Sequence, residues 1–314
     1  MYRLACLKLS DDQEARDNLR WSSPSPLAER GLGGEVVSGL TPPLTPPRVR
    51  GGEFKPVVLT IAGFDPSGGA GIIADIRTIE SFGCTAVAAI TSMTFQNAEK
   101  FFGAKHQSAD SVREQIEAIM GATRIVAVKI GMLATAEVVR EVARLIREND
   151  LPAPVIDPVM ESTSGGKLMS DDAFEVFVTE LMPLARVVTP NIPEAAKLAD
   201  MNIGNEAEMR QSAAKIRELG AQAVVVKGGH LGPRGSSPTV REGSNAIDLL
   251  DDNGQVTVLR SERIEAPNIR GSGCMLSSAI AASMANGSDL EEAVAQAKAF
   301  VADRIRNSLL EVNN

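Results

Sequence analysis

The stretch VVLTIAGFDPSGGAGIIAD, residues 57–75, contains in order an apolar strand pattern, a glycine-rich turn and the first turns of a helix. Its first six residues, VVLTIA, form a continuous apolar run, which is typical of a strand buried on both faces of a parallel sheet. The glycines at 68, 69 and 71 allow close backbone approach and positive φ angles. We therefore predict one strand–turn–helix unit, with the helix at about residues 70–82.

The same alternation continues to the end of the chain. Strands are predicted at 85–91, 125–131, 154–159, 186–190 and 223–229, and helices at 108–120, 134–147, 171–182, 193–199, 206–219, 273–284 and 290–309. Segments 246–250 and 255–260 suggest a hairpin around Asp252-Asn253-Gly254. Alternating strands and helices build βαβ units. The predicted fold is α/β, a three-layer sandwich with a mainly parallel central sheet and helices on both faces.

Composition narrows the possible classes of function. The net charge of −8 argues against a general nucleic-acid-binding surface. No apolar run reaches the length of a membrane-spanning helix, and the amino terminus lacks the apolar core of a signal peptide, so we predict no membrane association. Three widely spaced cysteines and two histidines argue against a disulfide framework and exclude a multi-histidine metal site. This cysteine usage fits a cytoplasmic protein.

Residues 1–54 differ in composition from the rest of the chain. They contain TPPLTPP (41–47), are rich in Pro, Gly and Ser, and show no sustained helical or strand period. We predict a disordered extension at 1–54 and a single catalytic domain at 55–314. A partner-binding proline motif is the alternative interpretation of the extension.

Ligands of parallel α/β sheets bind beyond the carboxyl ends of the strands, so the residues that follow each strand are the candidate site residues. The loop 63–75 is neither a P-loop nor a GxGxxG motif, which argues against a dinucleotide oxidoreductase. Gln96 follows the second strand and can recognise an aminopyrimidine edge, although a solvent-facing loop Gln is the simpler interpretation.

Four further residues at strand ends carry charge or capping ability. Asp157 is placed where Mg²⁺ or its water shell could bind, but it is also a turn-forming Asp-Pro. Asn191 and Glu194 are spaced either for a helix capping box or for contact with metal and phosphate. Lys227 follows a strong strand and suits a polyphosphate.

The segment RGSGC, residues 270–274, directly precedes an apolar helix rich in small residues. The amides of Ser272, Gly273 and Cys274 at such a helix start form an anion hole suited to a transferring phosphoryl group. Arg270 adds positive charge beside it. We expect a lowered thiol pKa for Cys274 and a role as base or polar contact. The alternative is a buried helix-start cysteine in an ordinary glycine turn.

Together these segments resemble the bifunctional hydroxymethylpyrimidine/phosphomethylpyrimidine kinases of thiamine biosynthesis, within the ribokinase-like superfamily. The resemblance extends from about Val57 to Leu309. It rests on seven motifs in order, namely AGFDPSGGAGIIAD (62–75), TSMTFQN (91–97), KIGML (129–133), DPVMESTSGG (157–166), TPNIPEA (189–195), VVKGGH (225–230) and GSGC (271–274).

The resemblance implies ATP-dependent, Mg²⁺-assisted phosphorylation of the pyrimidine alcohol and then of its monophosphate, by a homodimer. It places the pyrimidine on a set of five residues, Gly63, Asp75, Gln96, Met132 and Val159. It assigns metal binding to Asp157 and Glu194. It assigns binding of the nucleotide phosphates to Asn191 and Lys227, with Arg270 beside them. It assigns the anion hole to Gly271, Ser272 and Gly273, with Cys274 as the catalytic thiol.

Two departures from the family pattern bear on specificity. The family usually has His-Gly-Thr-Gly-Cys where this chain has Arg270 and Ser272, and it commonly has Thr or Ser where Ala98 and Glu99 follow Gln96-Asn97. These changes affect the predicted balance between the two phosphorylations and leave the predicted fold unchanged. A pyridoxine/pyridoxal kinase of the same superfamily and a non-catalytic pyrimidine sensor are the competing functions.

Overall fold

The computed structural model describes residues 55–97, 99–162, 165–229, 245–262, 264 and 270–312. These residues belong to one compact unit, Leu44–Asn314. The predicted extension 1–54 lies outside the described residues. Within the described part of the chain, no helix is both long and apolar enough to cross a membrane.

A nine-stranded sheet forms the centre of the fold, in the order β3-β2-β1-β4-β5-β6-β7-β8-β9. The strands are β1 (Val57–Phe64), β2 (Thr85–Gln96), β3 (Phe101–His106), β4 (Ala127–Ile130), β5 (Val155–Ile156), β6 (Val187–Val188), β7 (Ala223–Lys227), β8 (Asn245–Asp252) and β9 (Gln255–Glu262). The pairs from β2 to β7 are parallel, and β3, β8 and β9 are antiparallel to their neighbours. The predicted mainly parallel sheet is confirmed.

Helices cover both faces of the sheet. They are α1 (Gly71–Ser81), α2 (Ala109–Met120), α3 (Ala136–Glu148), α4 (Asp171–Val176), α5 (Ile192–Ala199), α6 (Glu206–Glu218), α7 (Ser272–Ala285) and α8 (Leu290–Val312). Residues of α2 to α6 pack in one apolar cluster, and residues of α1, α7 and α8 pack in another. Successive residues of β1 point to opposite faces: Leu59 belongs to the first cluster and Val58 to the second. The predicted three layers follow from this alternation.

Two predicted elements differ in detail, and one strand was not predicted. β2 continues to Gln96, and the edge strand β3 pairs with its second half, although neither feature was predicted. The helix predicted at 171–182 is α-helical only to Val176 and then becomes a π-helical turn and a short 3₁₀ turn containing Pro183. Proline has no N–H to continue an α-helix and clashes with the preceding turn. The predicted hairpin turn is confirmed, because Asn253 and Gly254 both have positive φ.

Candidate active site

The N-terminus of α7 lies at the end of the sheet that is formed by the carboxyl ends of the parallel strands. Gly271 begins this helix in the left-handed conformation, at φ 77°. A Cβ at Gly271 would lie 2.1 Å from the carbonyl oxygen of Gly69. Only glycine therefore allows the loop before α7 to rest on the glycine-rich loop after β1.

The start of α7 has the properties of an anion site. The amides of Ser272, Gly273 and Cys274 occupy the first helical turn, where amides lack intrahelical acceptors, and among the described residues no side chain caps them. The Nζ atom of Lys227 is close to this turn, since a Cβ at Gly273 would lie 3.1 Å from it. The predicted anion-hole residues and Lys227 are thus brought together around one position.

Lys227 is held by Asp157. Its Nζ donates to Asp157 Oδ1 at 2.7 Å, and the side chains are 14% and 4% exposed. Burial opposes the ammonium charge, but Asp157 and Glu194 outweigh it and raise the pKa of Lys227 above its usual value. A lysine that stays charged in a largely buried position can bind a polyphosphate.

Asn191 and Glu194 form the capping box of α5. Asn191 Oδ1 accepts from the Glu194 amide at 2.9 Å, and Glu194 Oε2 accepts from the Asn191 amide at 2.8 Å. The predicted capping box is therefore confirmed, while contact of Asn191 and Glu194 with phosphate and metal stays a prediction. Burial raises the pKa of Glu194 to about 7, Lys227 lowers it, and the nearby charge of Asp157 adds to the rise. Asp157 and Glu194 repel each other electrostatically in this buried position. A bound cation would reduce that repulsion.

The predicted pyrimidine side chains Met132 and Val159 meet in one small apolar cluster. Val159 packs against this cluster, which contains Met132, Ala134 and Leu168, together with Phe101 of the unpredicted strand β3. Gly63 faces the same methionine, because a Cβ there would lie 2.9 Å from the Met132 sulfur. Three of the five predicted substrate residues thus form a continuous wall.

Asp75 lies in the interior of the protein at 0% exposure. Its carboxylate accepts from Lys129 Nζ at 2.8 and 2.9 Å, from Thr60 Oγ1 at 2.7 Å and from Ser278 Oγ at 2.9 Å. Burial opposes the charge of Lys129, but Asp75 outweighs it and raises the pKa of Lys129 above its usual value. These bonds join α1, β4 and α7 beneath the site, while direct contact of Asp75 with substrate stays a prediction.

The expected lowering of the Cys274 pKa is wrong. Burial raises the pKa of this thiol to about 11, and the charges of Asp75 and Asp157 add to the rise. The charge of Lys129 and the amide of Gly71 act in the opposite direction. The helix N-terminus alone does not determine the pKa here, because the thiol is desolvated beside two carboxylates.

Arg270 extends toward the end of β2. Its guanidinium donates to the side-chain oxygen of Gln96 and to the backbone carbonyl of Asn97, and its Nη2 lies 3.4 Å from Asp65 Oδ2. Its contacts are thus on the predicted pyrimidine side, and its predicted contact with nucleotide stays a prediction.

Sequence reasoning missed Asp65 and Lys129. Asp65 is 1% exposed and organises the glycine-rich loop by accepting from the Ser67 amide and hydroxyl. Lys129 interrupts an otherwise apolar strand. This interruption was the available signal, because a buried lysine requires a charged partner.

A helix start with uncapped amides, a buried lysine–carboxylate pair and an apolar wall lie together at the strand ends, an arrangement typical of small-molecule kinases of ribokinase-like fold. A sequence profile described as phosphomethylpyrimidine kinase matches residues 65–313. The chain therefore belongs to the phosphomethylpyrimidine kinase family.

The chain is similar to two such kinases and, in fold, to a pyridoxal kinase. The chain is 37% identical over 265 residues to the hydroxymethylpyrimidine/phosphomethylpyrimidine kinase of Streptomyces coelicolor, covering 84% of this chain and 91% of that protein. The crystal structure of a Clostridium difficile phosphomethylpyrimidine kinase has a TM-score of 0.68 at 35% identity, covering 80% and 100%. A Staphylococcus aureus pyridoxal kinase in complex with AMP-PCP and pyridoxal has a TM-score of 0.70 at 30% identity, covering 81% and 88%.

Proposed function

We propose that the protein uses ATP and Mg²⁺ to phosphorylate 4-amino-5-hydroxymethyl-2-methylpyrimidine and then its monophosphate. The observation that carries this proposal is the meeting of the Gly271–Cys274 helix start with Lys227, because a Cβ at Gly273 would lie 3.1 Å from Lys227 Nζ. Family membership supplies the substrate class. We also propose a cytoplasmic homodimer, which analytical ultracentrifugation and cell fractionation test.

In the proposed reaction the alcohol oxygen bonds to the γ-phosphorus while the bond to the β-phosphate oxygen breaks, releasing ADP and a proton. The amides of residues 272–274 stabilise the charge on the transferring group, and Lys227 holds the nucleotide phosphates. Met132 and Val159 pack against the pyrimidine ring and exclude water. Most of the rate enhancement of such a transfer comes from positioning and charge stabilisation.

Asp157 and Glu194 are suited to magnesium. Mg²⁺ usually binds through one or two carboxylates and keeps several waters. Among the described residues no group of three or more His, Cys, Asp or Glu side chains forms a complete cage. The two buried carboxyl groups fit this partial coordination, and a bound cation would favour the ionised form of Glu194, whose pKa burial raises to about 7. When bound, the cation supplies charge neutralisation between the phosphates.

The direct test of the function is magnesium-dependent ADP release with the pyrimidine alcohol, its monophosphate or pyridoxal. Turnover on both pyrimidines is the expected result. Turnover on pyridoxal alone contradicts the proposal in favour of a pyridoxal kinase. Pyrimidine binding without turnover on any substrate would make the protein a sensor.

Magnesium activation is expected to depend on pH through Glu194. With a folded-state pKa of about 7, Glu194 is mostly protonated at pH 6 and mostly ionised at pH 8. The free Mg²⁺ concentration for half-maximal rate is therefore expected to rise about tenfold from pH 8 to pH 6. Lys227, which faces Glu194, stays charged over this range because Asp157 and Glu194 raise its pKa above the usual value. The measurement is a Mg²⁺ titration at saturating ATP.

The matched control for that titration is Glu194→Gln, which keeps an acceptor for the Asn191 amide. Protonation of ATP affects the assays of the unmodified protein and of Glu194→Gln equally, so comparing the two removes its contribution. A steep pH dependence that persists in Glu194→Gln contradicts the assignment of Glu194 to the metal.

Cys274→Ala is expected to lower kcat about 100-fold with little change in pyrimidine affinity, if the thiolate accepts the substrate proton. Because the thiol pKa is about 11, the thiolate fraction rises tenfold per pH unit below that value. The kcat of the unmodified protein is therefore expected to rise with pH between 7 and 9, as steady-state rates will show.

Cys84→Ala provides the control for a cysteine outside the site, since the Cys84 thiol is buried against the Ala282 carbonyl. Its kcat is expected to equal that of the unmodified protein. Unchanged turnover in Cys274→Ala would refute a catalytic thiol.

A further inference from the structure

Arg270 forms a bridge between the two sides of the site. It directly precedes the Gly271 turn, yet its guanidinium bonds to Gln96 and Asn97 at the end of β2 and faces Asp65 in the glycine-rich loop. The Arg270 side chain is 19% exposed and that of Asp65 is 2% exposed. This is therefore a largely desolvated contact with a defined geometry, unlike a typical exposed ion pair.

The hydrogen bonds around Gln96 run in one direction. Arg270 donates to Gln96 Oε1, Gln96 Nε2 donates to Thr94 Oγ1 at 2.8 Å, and Thr94 Oγ1 donates to the Phe64 carbonyl at 2.9 Å. A guanidinium can only donate, so the atom of Gln96 that faces it must be the oxygen. Arg270 thereby determines which end of the amide is oxygen and which is nitrogen.

This arrangement leaves Gln96 one N–H and one oxygen lone pair for a ligand. A ring nitrogen that accepts, beside an exocyclic amino group that donates, matches this pair. The 4-oxo counterpart of the ring presents the reverse pattern, with a carbonyl beside a protonated nitrogen. A freely rotating glutamine amide accommodates either ring by flipping, whereas a fixed amide accommodates only one.

We infer that Arg270 is a specificity-determining positioning residue, which fixes the amide of Gln96 so that the pocket accepts an aminopyrimidine and rejects its 4-oxo analogue. The inference rests on the proposed function, because it assumes that Gln96 faces the pyrimidine. It needs no contact between Arg270 and the substrate.

The test compares the dissociation constants of 4-amino-5-hydroxymethyl-2-methylpyrimidine and its 4-oxo analogue, measured by calorimetry without nucleotide. In Arg270→Met, the Gln96 amide can flip because its remaining partner, the Thr94 hydroxyl, can either accept or donate. The preference for the amino compound is then expected to fall about tenfold or more. Arg270→Lys retains a donor and is expected to keep most of the preference. If Arg270 only supported the loop, its replacement would weaken the binding of both ligands equally and leave the ratio of their dissociation constants unchanged.

Arg77→Met is the matched control. Arg77 is an exposed arginine that donates to the Gly68 carbonyl of the same glycine-rich loop, at 3.2 Å. We expect Arg77→Met to leave the affinities for the amino and the 4-oxo compound unchanged. An unchanged ratio in Arg270→Met overturns the inference while leaving the proposed function intact. Failure of the unmodified protein to bind either pyrimidine overturns both.

Discussion

Replacing Gly271 by alanine is expected to lower kcat at least about 100-fold while the protein remains folded. The new Cβ would lie 2.1 Å from the Gly69 carbonyl oxygen, which is backbone and cannot rotate away. The first turn of α7 must therefore shift, and its amides leave the position where charge develops on the transferring phosphoryl group. The measurement is steady-state kcat, with a thermal melt to confirm folding.

Gly83→Ala separates this clash from the cost of the backbone conformation. Gly83 has φ 78°, almost the same as Gly271, but no described atom lies within 4 Å of its Cβ position. Both variants incur the left-handed penalty of roughly 1–2 kcal/mol. Only Gly271→Ala is expected to lose turnover, and equal kcat values in the two variants would contradict the assigned anion hole.

Replacing Lys129 by methionine is expected to reduce the free energy of unfolding by about 3–5 kcal/mol. The Lys129 and Asp75 side chains are both 0% exposed, so removing the ammonium leaves an uncompensated carboxylate in the interior. For a domain of this size the melting temperature should fall by roughly 10 °C. Urea denaturation and a thermal melt measure the two quantities.

Two further variants test whether the unpaired Asp75 carboxylate causes the loss of stability in Lys129→Met. The double variant Lys129→Met/Asp75→Asn removes both charges and is expected to recover at least half of the lost stability, which a simple packing defect would not allow. Lys167→Met removes an exposed pair with the same 2.8 Å separation from Asp171. It is expected to cost less than about 1 kcal/mol. Equal losses in Lys129→Met and Lys167→Met would refute the argument.

The alternation of strands and helices was predictable because apolar runs and helical spacing are local properties. The edge strand β3 was not, since its FFGAKH sequence has no clean alternation and Phe102 is 64% exposed. Residue Lys129 was visibly out of place in an apolar strand. Its partner Asp75 is 54 positions away in the sequence, and a pattern that operates over a few residues cannot pair them.

The site shows the same division between local and tertiary information. The capping box of Asn191 and Glu194 was readable from a spacing of three residues. The pKa of Cys274 was predicted in the wrong direction, because its helix start favours a thiolate whereas burial and two carboxylates from other segments oppose it. The bond from Arg270 to Gln96 joins residues 174 positions apart, so the sequence showed an unusual arginine without showing what it contacts.

The contact of Gly271 with Gly69 also has a thermodynamic consequence. It joins the loop proposed to stabilise the transferring phosphoryl group to the loop proposed to enclose the acceptor, so a displacement of one is expected to displace the other. We expect a nucleotide that orders one loop to order the other as well, and thereby to raise the affinity for the acceptor. Linkage requires the acceptor to raise the affinity for nucleotide by the same factor. We therefore expect nucleotide and acceptor to bind cooperatively at equilibrium, before any bond is made or broken.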